Sequence, residues 1–181
     1  MASVRTPDPN PGWLSDIALD ETRSRVPILY VEGIPVRVDA TGNVEHVGLL
    51  LRGSATTGAM NRTFVSGRVM HGESIRDALL RNLEKDLGPT AFPQLSASIV
   101  PFTVAEYFPL PGVTPLHDPR QHAVALVYVV PVTGECNPRQ DALELSWMTP
   151  ADAASDEVTS ELEGGRGALL KQALAHVGAL A

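Results

Sequence analysis

The segment from residue 67 to residue 88, GRVMHGESIRDALLRNLEKDLG, constrains the fold more than any other part of the chain. A glycine-bearing loop leads into a stretch whose leucines recur at helical spacing. Gly88 and Pro89 then stop the helix, because glycine caps a helix end and proline cannot continue it. We therefore predict a short strand at residues 62–69, a loop, and an amphipathic helix over about residues 74–87.

The predicted helix has two chemically different faces. At about 100° per residue, one stripe carries an amide, a cation and a carboxylate, from Asn82, Lys85 and Asp86. The adjoining face is apolar, and its residues are Leu79, Leu80, Leu83 and Leu87. A helix of this kind buries its leucines against a core.

This segment resembles the Nudix box, the loop-helix-loop motif of enzymes that hydrolyse nucleoside diphosphates linked to another group. The box reads G-x5-E-x7-R-E-U-x-E-E-x-G-U, where U is a bulky aliphatic residue. The positions that match are Gly67, Glu73, Arg81, Leu83 and Gly88. The positions that depart are Asn82, Lys85 and Asp86, which stand where the family has glutamates, and Pro89, which replaces the last aliphatic residue.

Two further segments are similar to the same family. Residues 143–151, LELSWMTPA, resemble the late Nudix strand whose tryptophan precedes a short helix. Residues 106–115 and 117–123 are similar to an uncharacterised bacterial branch of Nudix-like proteins with a degenerate box. The resemblance covers about residues 27–178 and implies an α+β fold, an α/β/α sandwich with a mixed β-sheet flanked by helices.

The resemblance also implies a reaction and a site. Cleavage of a diphosphate needs positive charge against the phosphate oxygens and a water in line with phosphorus, and Mg²⁺ or Mn²⁺ on carboxylate ligands supplies that charge. The implied catalytic residues are Glu73, Arg81 and Asp86, with Asp86 and Glu73 as the metal ligands. The implied substrate-binding residues are Lys85, Asn82 and Arg120.

The charge of the polar stripe leaves two functions open. Lys85 offsets Asp86, so the stripe is formally neutral and predicts weakened or altered metal binding. A loop carboxylate from Glu106, Asp118 or Glu135 could complete the metal site, or Lys85 could contact the diphosphate itself. The chain is then either a metal-assisted hydrolase of a nucleoside-diphosphate-linked molecule or a catalytically inactive nucleotide-binding or regulatory protein.

An ordinary amphipathic helix is the alternative to a Nudix box. In that case Arg81 would pair on the surface with Asp77 and Glu84, which lie at helical spacing from it. This alternative explains the charges of the segment. It does not explain why Gly67, Glu73, Arg81 and Gly88 all fall at the spacings of the box.

Composition narrows the partners and the location. The 181 residues suit one domain, which we divide into an N-terminal extension with a short helix at 1–26 and a Nudix-like domain at 27–181. A net charge of −7 disfavours polymeric nucleic acid and leaves a small nucleotide-type diphosphate as the partner. With one cysteine, and with no apolar run near the roughly 20 residues that cross a bilayer, we expect a cytoplasmic protein without a membrane partner. The resemblance implies that a homodimer can form.

The remaining pattern predicts the other elements. Ser15 can cap a helix over residues 16–25, and residues 1–12 are proline-rich and draped on the surface. Runs of apolar and β-branched residues predict the strands 28–38, 44–52, 99–108, 122–132 and 143–148. A flexible joint at Gly164, Gly165 and Gly167 precedes a last helix over about residues 168–177.

Overall fold

The computed structural model describes residues 13–53, 58–138 and 142–180, and the predicted surface segment 1–12 lies outside them. The strands are β1 (Ile28–Val38), β2 (Val44–Gly53), β3 (Met60–Thr63), β4 (Val65–Arg68), β5 (Thr103–Tyr107), β6 (Ala123–Pro131) and β7 (Ala142–Met148). The helices are α1 (Asp16–Arg23), α2 (Ile75–Leu87), α3 (Pro150–Ala153), α4 (Asp156–Ser160) and α5 (Arg166–His176). A 3-10 turn over Glu163–Gly165 leads into α5.

The strands form one mixed sheet, as predicted. Its order is β3-β2-β1-β6-β5, with β4 paired to β1 and β7 paired to β2. Only the β1–β6 pair is parallel among the described strands, and the other pairs are antiparallel. The long strand β1 therefore lies at the centre, hydrogen-bonded to β6 along one side and to β4 and then β2 along the other.

Side chains alternate across β1 and define two cores. Val31 points toward α2, and a Cβ on Gly33 would lie 3.3 Å from Leu79 and from Leu83. Ile34 belongs to the opposite core, which is closed by α5. Each fully buried leucine contributes about 1.5–3 kcal/mol, so the three leucines 79, 83 and 87, all 0 % exposed, fix α2 on the sheet. The result is the predicted sandwich of a sheet between helices.

The predicted strand at residues 62–69 is in fact two strands. β3 pairs with β2, whereas β4 pairs with β1. The chain changes partner at Phe64, whose side chain is fully buried in the core of the α5 face. A periodic pattern cannot reveal a change of partner, because both strands alternate in the same way.

Two other predicted elements differ from the structure. The strand predicted at 99–108 is shorter and begins at Thr103. The last helix begins at Arg166 and contains Gly167, which was predicted to be part of a flexible joint. Gly167 is needed there for space, since a Cβ would lie 2.4 Å from the carbonyl oxygen of Thr159. Gly164 and Gly165 do have positive φ, as a tight turn before the helix requires.

The N-terminal helix α1 begins as predicted, because the side chain of Ser15 accepts a hydrogen bond from the amide of Ala18. Leu19 is its buried residue. Arg23 reaches across to Gln121, to which its Nε donates a 2.9 Å hydrogen bond. None of the helices in the described ranges is both long and apolar enough to span a membrane.

Candidate functional site

An ion pair joins the loop before α2 to the helix itself. The guanidinium of Arg81 donates from Nε to Oε1 of Glu73 at 2.7 Å and from Nη2 to Oε2 at 2.9 Å. The same Nη2 donates to the carbonyl of Arg68 at 2.8 Å, and the amide of Met70 donates to Glu73 at 2.9 Å. Because α2 begins only at Ile75, Glu73 belongs to the loop and is free to turn toward the helix. The side chains of Glu73 and Arg81 therefore connect β4, the loop and α2.

The pairing of Glu73 with Arg81 shifts the pKa of both side chains. The hydrogen bond from Arg81 lowers the pKa of Glu73, and the hydrogen bond to Glu73 raises the pKa of Arg81. The ordinary-helix alternative is wrong, since the partner of Arg81 is Glu73 and not Asp77 or Glu84. The Glu73–Arg81 contact thus joins two of the residues that match the box, one in the loop and one on α2.

Gly67 is required by the packing of Asn82 beneath it. A Cβ on Gly67 would lie 1.9 Å from Oδ1 of Asn82, far closer than two non-bonded atoms can approach. Asn82 is 1 % exposed and donates from its amide nitrogen to the carbonyl of Ala78 at 2.8 Å. Asn82, predicted to bind substrate, is therefore covered by strand β4.

Asp86 is buried beside two cations. Its Oδ1 lies 2.5 Å from Nη2 of Arg52 and 3.4 Å from Nζ of Lys85. The Asp86 side chain is 1 % exposed, whereas those of Arg52 and Lys85 are 20 % and 30 % exposed. Lys85 also approaches the carbonyl of Ser66 at 3.4 Å. The cluster carries one negative and two positive formal charges, with its cations toward solvent.

The donor set of this cluster does not fit a divalent cation. Hard cations take several oxygen ligands, and their affinity follows the number of carboxylates. No group of three or more His, Cys, Asp or Glu in the described ranges is arranged to hold a metal ion. Asp86 does have a buried Oδ2 without a hydrogen-bond partner. That oxygen is a single ligand beside two cations, which would repel a metal ion.

Arg120 lies in a second polar cluster rather than with the helix stripe. Its Nε and Nη2 each donate to Asp118 at 3.0 Å, and Asp118 also accepts from Gln121 at 2.9 Å. Burial acts to raise the pKa of Asp118, but the hydrogen bonds from Arg120 outweigh it and the pKa is lowered. The amide of Gln121 also donates to the hydroxyl of Tyr30 at 2.9 Å.

The same cluster contains a buried ion pair that the sequence analysis missed. Glu32, 1 % exposed, accepts from Nη2 of Arg166 at 2.5 Å and from the hydroxyl of Tyr107 at 2.9 Å. Burial raises the pKa of Tyr107 well above its usual value, and the charge of Glu32 adds to this. The available signal was a glutamate in the middle of an otherwise apolar central strand.

Comparison with known proteins identifies the family. A family model described as "Domain of unknown function (DUF4916)" matches residues 9–179. The chain belongs to this family. A solved protein from Jonesia denitrificans, described as a possible asymmetric diadenosine tetraphosphate hydrolase, is 57 % identical to this chain. That similarity covers 87 % of this chain and 98 % of the other, with a TM-score of 0.83. No curated protein matches this member of the DUF4916 family.

More distant structures show that the DUF4916 fold is the Nudix fold. The Nudix hydrolase from Nitrosomonas europaea is 15 % identical over 85 % of this chain and 90 % of its own, with a TM-score of 0.58. A bifunctional NMN adenylyltransferase/ADP ribose pyrophosphatase from Francisella tularensis, complexed with AMP and a manganese ion, is 14 % identical with a TM-score of 0.55. The similarity to the latter covers 83 % of this chain and 41 % of the other. The predicted resemblance to the Nudix family is thus confirmed, and this chain shares its fold with Nudix hydrolases.

Proposed function

We propose that this protein hydrolyses a small molecule in which a nucleoside diphosphate is linked to another group. The observation that carries the proposal is the Glu73–Arg81 pair, which holds the loop and helix in the arrangement of a Nudix box although the carboxylate stripe is altered. The 57 % identical protein from Jonesia denitrificans, described as a possible diadenosine tetraphosphate hydrolase, supports a substrate of this class.

The diphosphate lies against the cationic side of the Asp86 cluster in this proposal. Lys85 and Arg52 are the partly exposed members, and together with Asp86 they leave one net positive charge at the end of α2. Lysine and arginine both bind phosphate oxygens through charge-assisted hydrogen bonds. Asn82 stays beneath them, where it supports β4, and Arg120 contacts the substrate at some distance from the diphosphate.

Three residues have proposed roles in the chemical step. Arg81 orients Glu73, whose carboxylate lies at the start of the helix and helps to place the attacking water. Asp86 orients Arg52 and Lys85 toward the phosphate oxygens, where they oppose the charge that develops as water attacks phosphorus. A metal-binding role for Asp86 and Glu73 stays a prediction, and it requires both carboxylates to leave their present cationic partners.

A nucleotide-binding or regulatory protein without catalysis is the second candidate. The observation that favours it is the ion pair of Asp86 with Arg52, because this pair occupies the carboxylate that the family uses for metal. The Lys85 ammonium would then bind the anion directly. Under either candidate, a homodimer and a cytoplasmic location stay predictions, and the division between residues 1–26 and 27–181 remains a proposal.

Cleavage of a panel of nucleotide diphosphates separates the two candidates. The panel includes dinucleoside polyphosphates and is measured with Mg²⁺, with Mn²⁺ and with chelator, for the wild type and for Lys85→Ala and Asp86→Asn. The hydrolase proposal expects turnover by the wild type that both substitutions lower by at least about tenfold, the loss expected for one charged contact. Nucleotide binding without turnover under any condition would instead support the second candidate.

A further inference from the structure

The N-terminal helix α1 precedes the segment that resembles the Nudix family, yet it is hydrogen-bonded to the loop that carries Arg120. Arg23, the last residue of α1, donates from Nε to Oε1 of Gln121 at 2.9 Å. Its Nη1 donates to Oδ1 of Asp20, one turn earlier in the helix, at 2.9 Å. The guanidinium of Arg23 therefore joins α1 to the loop between β5 and β6.

Gln121 is the central residue of this contact. It is 2 % exposed, so the polar atoms of its side chain depend on protein partners. Its Nε2 donates to the hydroxyl of Tyr30 and to Oδ2 of Asp118, both at 2.9 Å. With Arg23 on Oε1, both N–H groups of the amide and its oxygen are hydrogen-bonded.

The orientation of the Gln121 amide follows from its charged neighbours. A guanidinium can only donate and an ionised carboxylate can only accept, so the oxygen faces Arg23 and the nitrogen faces Asp118. Without Arg23 the amide oxygen would be buried without its donor. The hydroxyl of Tyr30 lies beside the nitrogen, so it can donate to the oxygen only if the amide turns over. A turned amide would bring its oxygen to the carboxylate of Asp118, where the two acceptors repel.

Asp118 connects the amide of Gln121 to Arg120. Its Oδ2 accepts from Nη2 of Arg120 as well as from Gln121, and its Oδ1 accepts from Nε and from the backbone amide of Arg120. The carboxylate that holds the guanidinium is therefore itself held by Gln121. The Asp118 side chain is 14 % exposed and that of Arg120 is 50 % exposed, so Arg120 is the member of this network that a ligand can reach.

Tyr30 ties the same loop to the strand beside the box. In the pairing of β1 with β4, Tyr30 lies opposite Arg68, which directly follows Gly67. The hydrogen bond from Gln121 to the Tyr30 hydroxyl therefore holds the loop against the strands that lead into the candidate site.

We propose that Arg23 is a positioning residue, which fixes the amide of Gln121 so that Arg120 is held for contact with the substrate. This inference rests on the proposed function, because it takes Arg120 as a substrate contact. It gives α1 a part in substrate binding and none in the chemical step, which takes place at the end of α2. Loss of Arg23 therefore raises KM and leaves kcat unchanged.

Steady-state kinetics of the whole chain with diadenosine tetraphosphate test the proposal. We expect Arg23→Met to raise KM by about fivefold, the equivalent of one ordinary hydrogen bond. Arg120→Met raises KM at least as much, because it removes the contact itself. Arg23→Lys keeps a donor for the oxygen of Gln121 and restores most of the loss.

Asp20→Asn is the matched control, because Arg23→Met also breaks the pair of Arg23 with Asp20. That pair lies at the surface, where the Asp20 side chain is 72 % exposed, and its loss leaves Nε of Arg23 free to donate to Gln121. The KM of Asp20→Asn stays at the wild-type value. A rise in KM as large as that of Arg23→Met would show that the stability of α1 is the cause, and would overturn the proposal. Thermal melting of every variant checks that the fold is retained.

The side-chain amide of Gln121 gives a second readout that needs no substrate. Its ¹⁵N–¹H resonances, identified by their loss in Gln121→Leu, report the hydrogen bonds of the amide. We expect them to move in Arg23→Met and to stay in place in Asp20→Asn. Resonances that do not move in Arg23→Met would overturn the proposal whether or not the protein cleaves a nucleotide.

The remaining outcomes separate this inference from the proposed function. An unchanged KM in Arg23→Met overturns the inference and leaves hydrolysis standing. An unchanged KM in Arg120→Met does the same, because Arg120 is then not a substrate contact. If the wild type shows no turnover, hydrolysis is overturned, and the same variants are compared by the calorimetric Kd for diadenosine tetraphosphate. Equal Kd values for the wild type and Arg23→Met, or no binding by the wild type at millimolar concentration, then overturn the inference as well.

Discussion

Oδ1 of Asp86, near the end of α2, lies 2.5 Å from Nη2 of Arg52, near the end of β2. The two residues are far apart in sequence, and the carboxylate is 1 % exposed. With Lys85 on its other side, this aspartate is neutralised by protein cations. The end of α2 is therefore lined by two cations, Lys85 of the helix itself and Arg52 of β2.

Replacing Arg52 should be costly for stability. Arg52→Met leaves a buried carboxylate with Lys85 as its remaining partner, and loss of one member of a buried pair lowers the free energy of unfolding by about 3 kcal/mol. Chemical denaturation measures this change. Arg25→Met is the control, because the pair of Arg25 with Glu21 lies at the surface, with side chains 71 % and 60 % exposed, and contributes about 0–1 kcal/mol. Equal losses in the two variants would contradict a special role for the Arg52–Asp86 pair.

Replacing the two cations beside Asp86, Arg52 and Lys85, should create a metal site. In the double variant Arg52→Met and Lys85→Glu, the end of α2 carries two carboxylates and no neighbouring cation from these positions. We expect millimolar Mn²⁺ to raise its melting temperature by about 2–4 °C per kcal/mol of binding energy. The wild type should shift much less.

The control for the metal measurement is Lys171→Glu, which places a new carboxylate near the exposed Asp156 on the surface. It should show little response to Mn²⁺. A wild-type shift as large as that of the double variant would mean that the cation binds without displacing Arg52 and Lys85, and would restore Asp86 as a metal ligand.

Gly67 should tolerate no side chain while Asn82 is present. In Gly67→Ala the new methyl group would overlap Oδ1 of Asn82, so we expect a loss of about 1–3 kcal/mol from the strain of overpacking. Adding Asn82→Ala should restore part of that loss by removing the overlapping amide. Gly53→Ala is the control, because nothing lies within 4 Å of a Cβ there. If the double variant were no more stable than Gly67→Ala, the overlap would not be the cause.

The Glu73–Arg81 pair should give the protein a specific acid sensitivity. The folded pKa of Glu73 is lowered, so its ionised form stabilises the fold above the unfolded pKa of about 4.5 and this contribution is lost as the pH falls through the folded value. Glu73→Gln should therefore reduce stability at pH 7 by about 1 kcal/mol and flatten the decline of stability below pH 4.5.

Melting curves from pH 3 to pH 7 measure this effect. Glu84→Gln, on α2, is the control, and it should keep the wild-type slope. If the stability of Glu73→Gln fell as steeply with decreasing pH as that of the wild type, other carboxylates would be the cause of the acid sensitivity.

The tertiary structure explains which predictions about the site were incomplete. Asn82, Lys85 and Asp86 share one stripe as the helical spacing predicts, yet two of them are buried. Asn82 is covered by β4 and Asp86 lies against Arg52 of β2, and a helical wheel contains no information about what covers a helix. The box pattern marked Glu73 and Arg81 as site residues, but their contact with each other was not predicted and is shown by the structure.

The sequence alone determined the local elements and the Nudix arrangement of loop and helix. Hydrophobic periodicity, helix capping and the spacing of Gly67, Glu73, Arg81 and Gly88 act over short distances, where each residue constrains its neighbours. The tertiary structure decided what lies around that helix. Two ion pairs, Arg52 with Asp86 and Arg166 with Glu32, join segments that are distant in sequence. They depend on strand pairing and on a buried environment that only the assembled sheet provides.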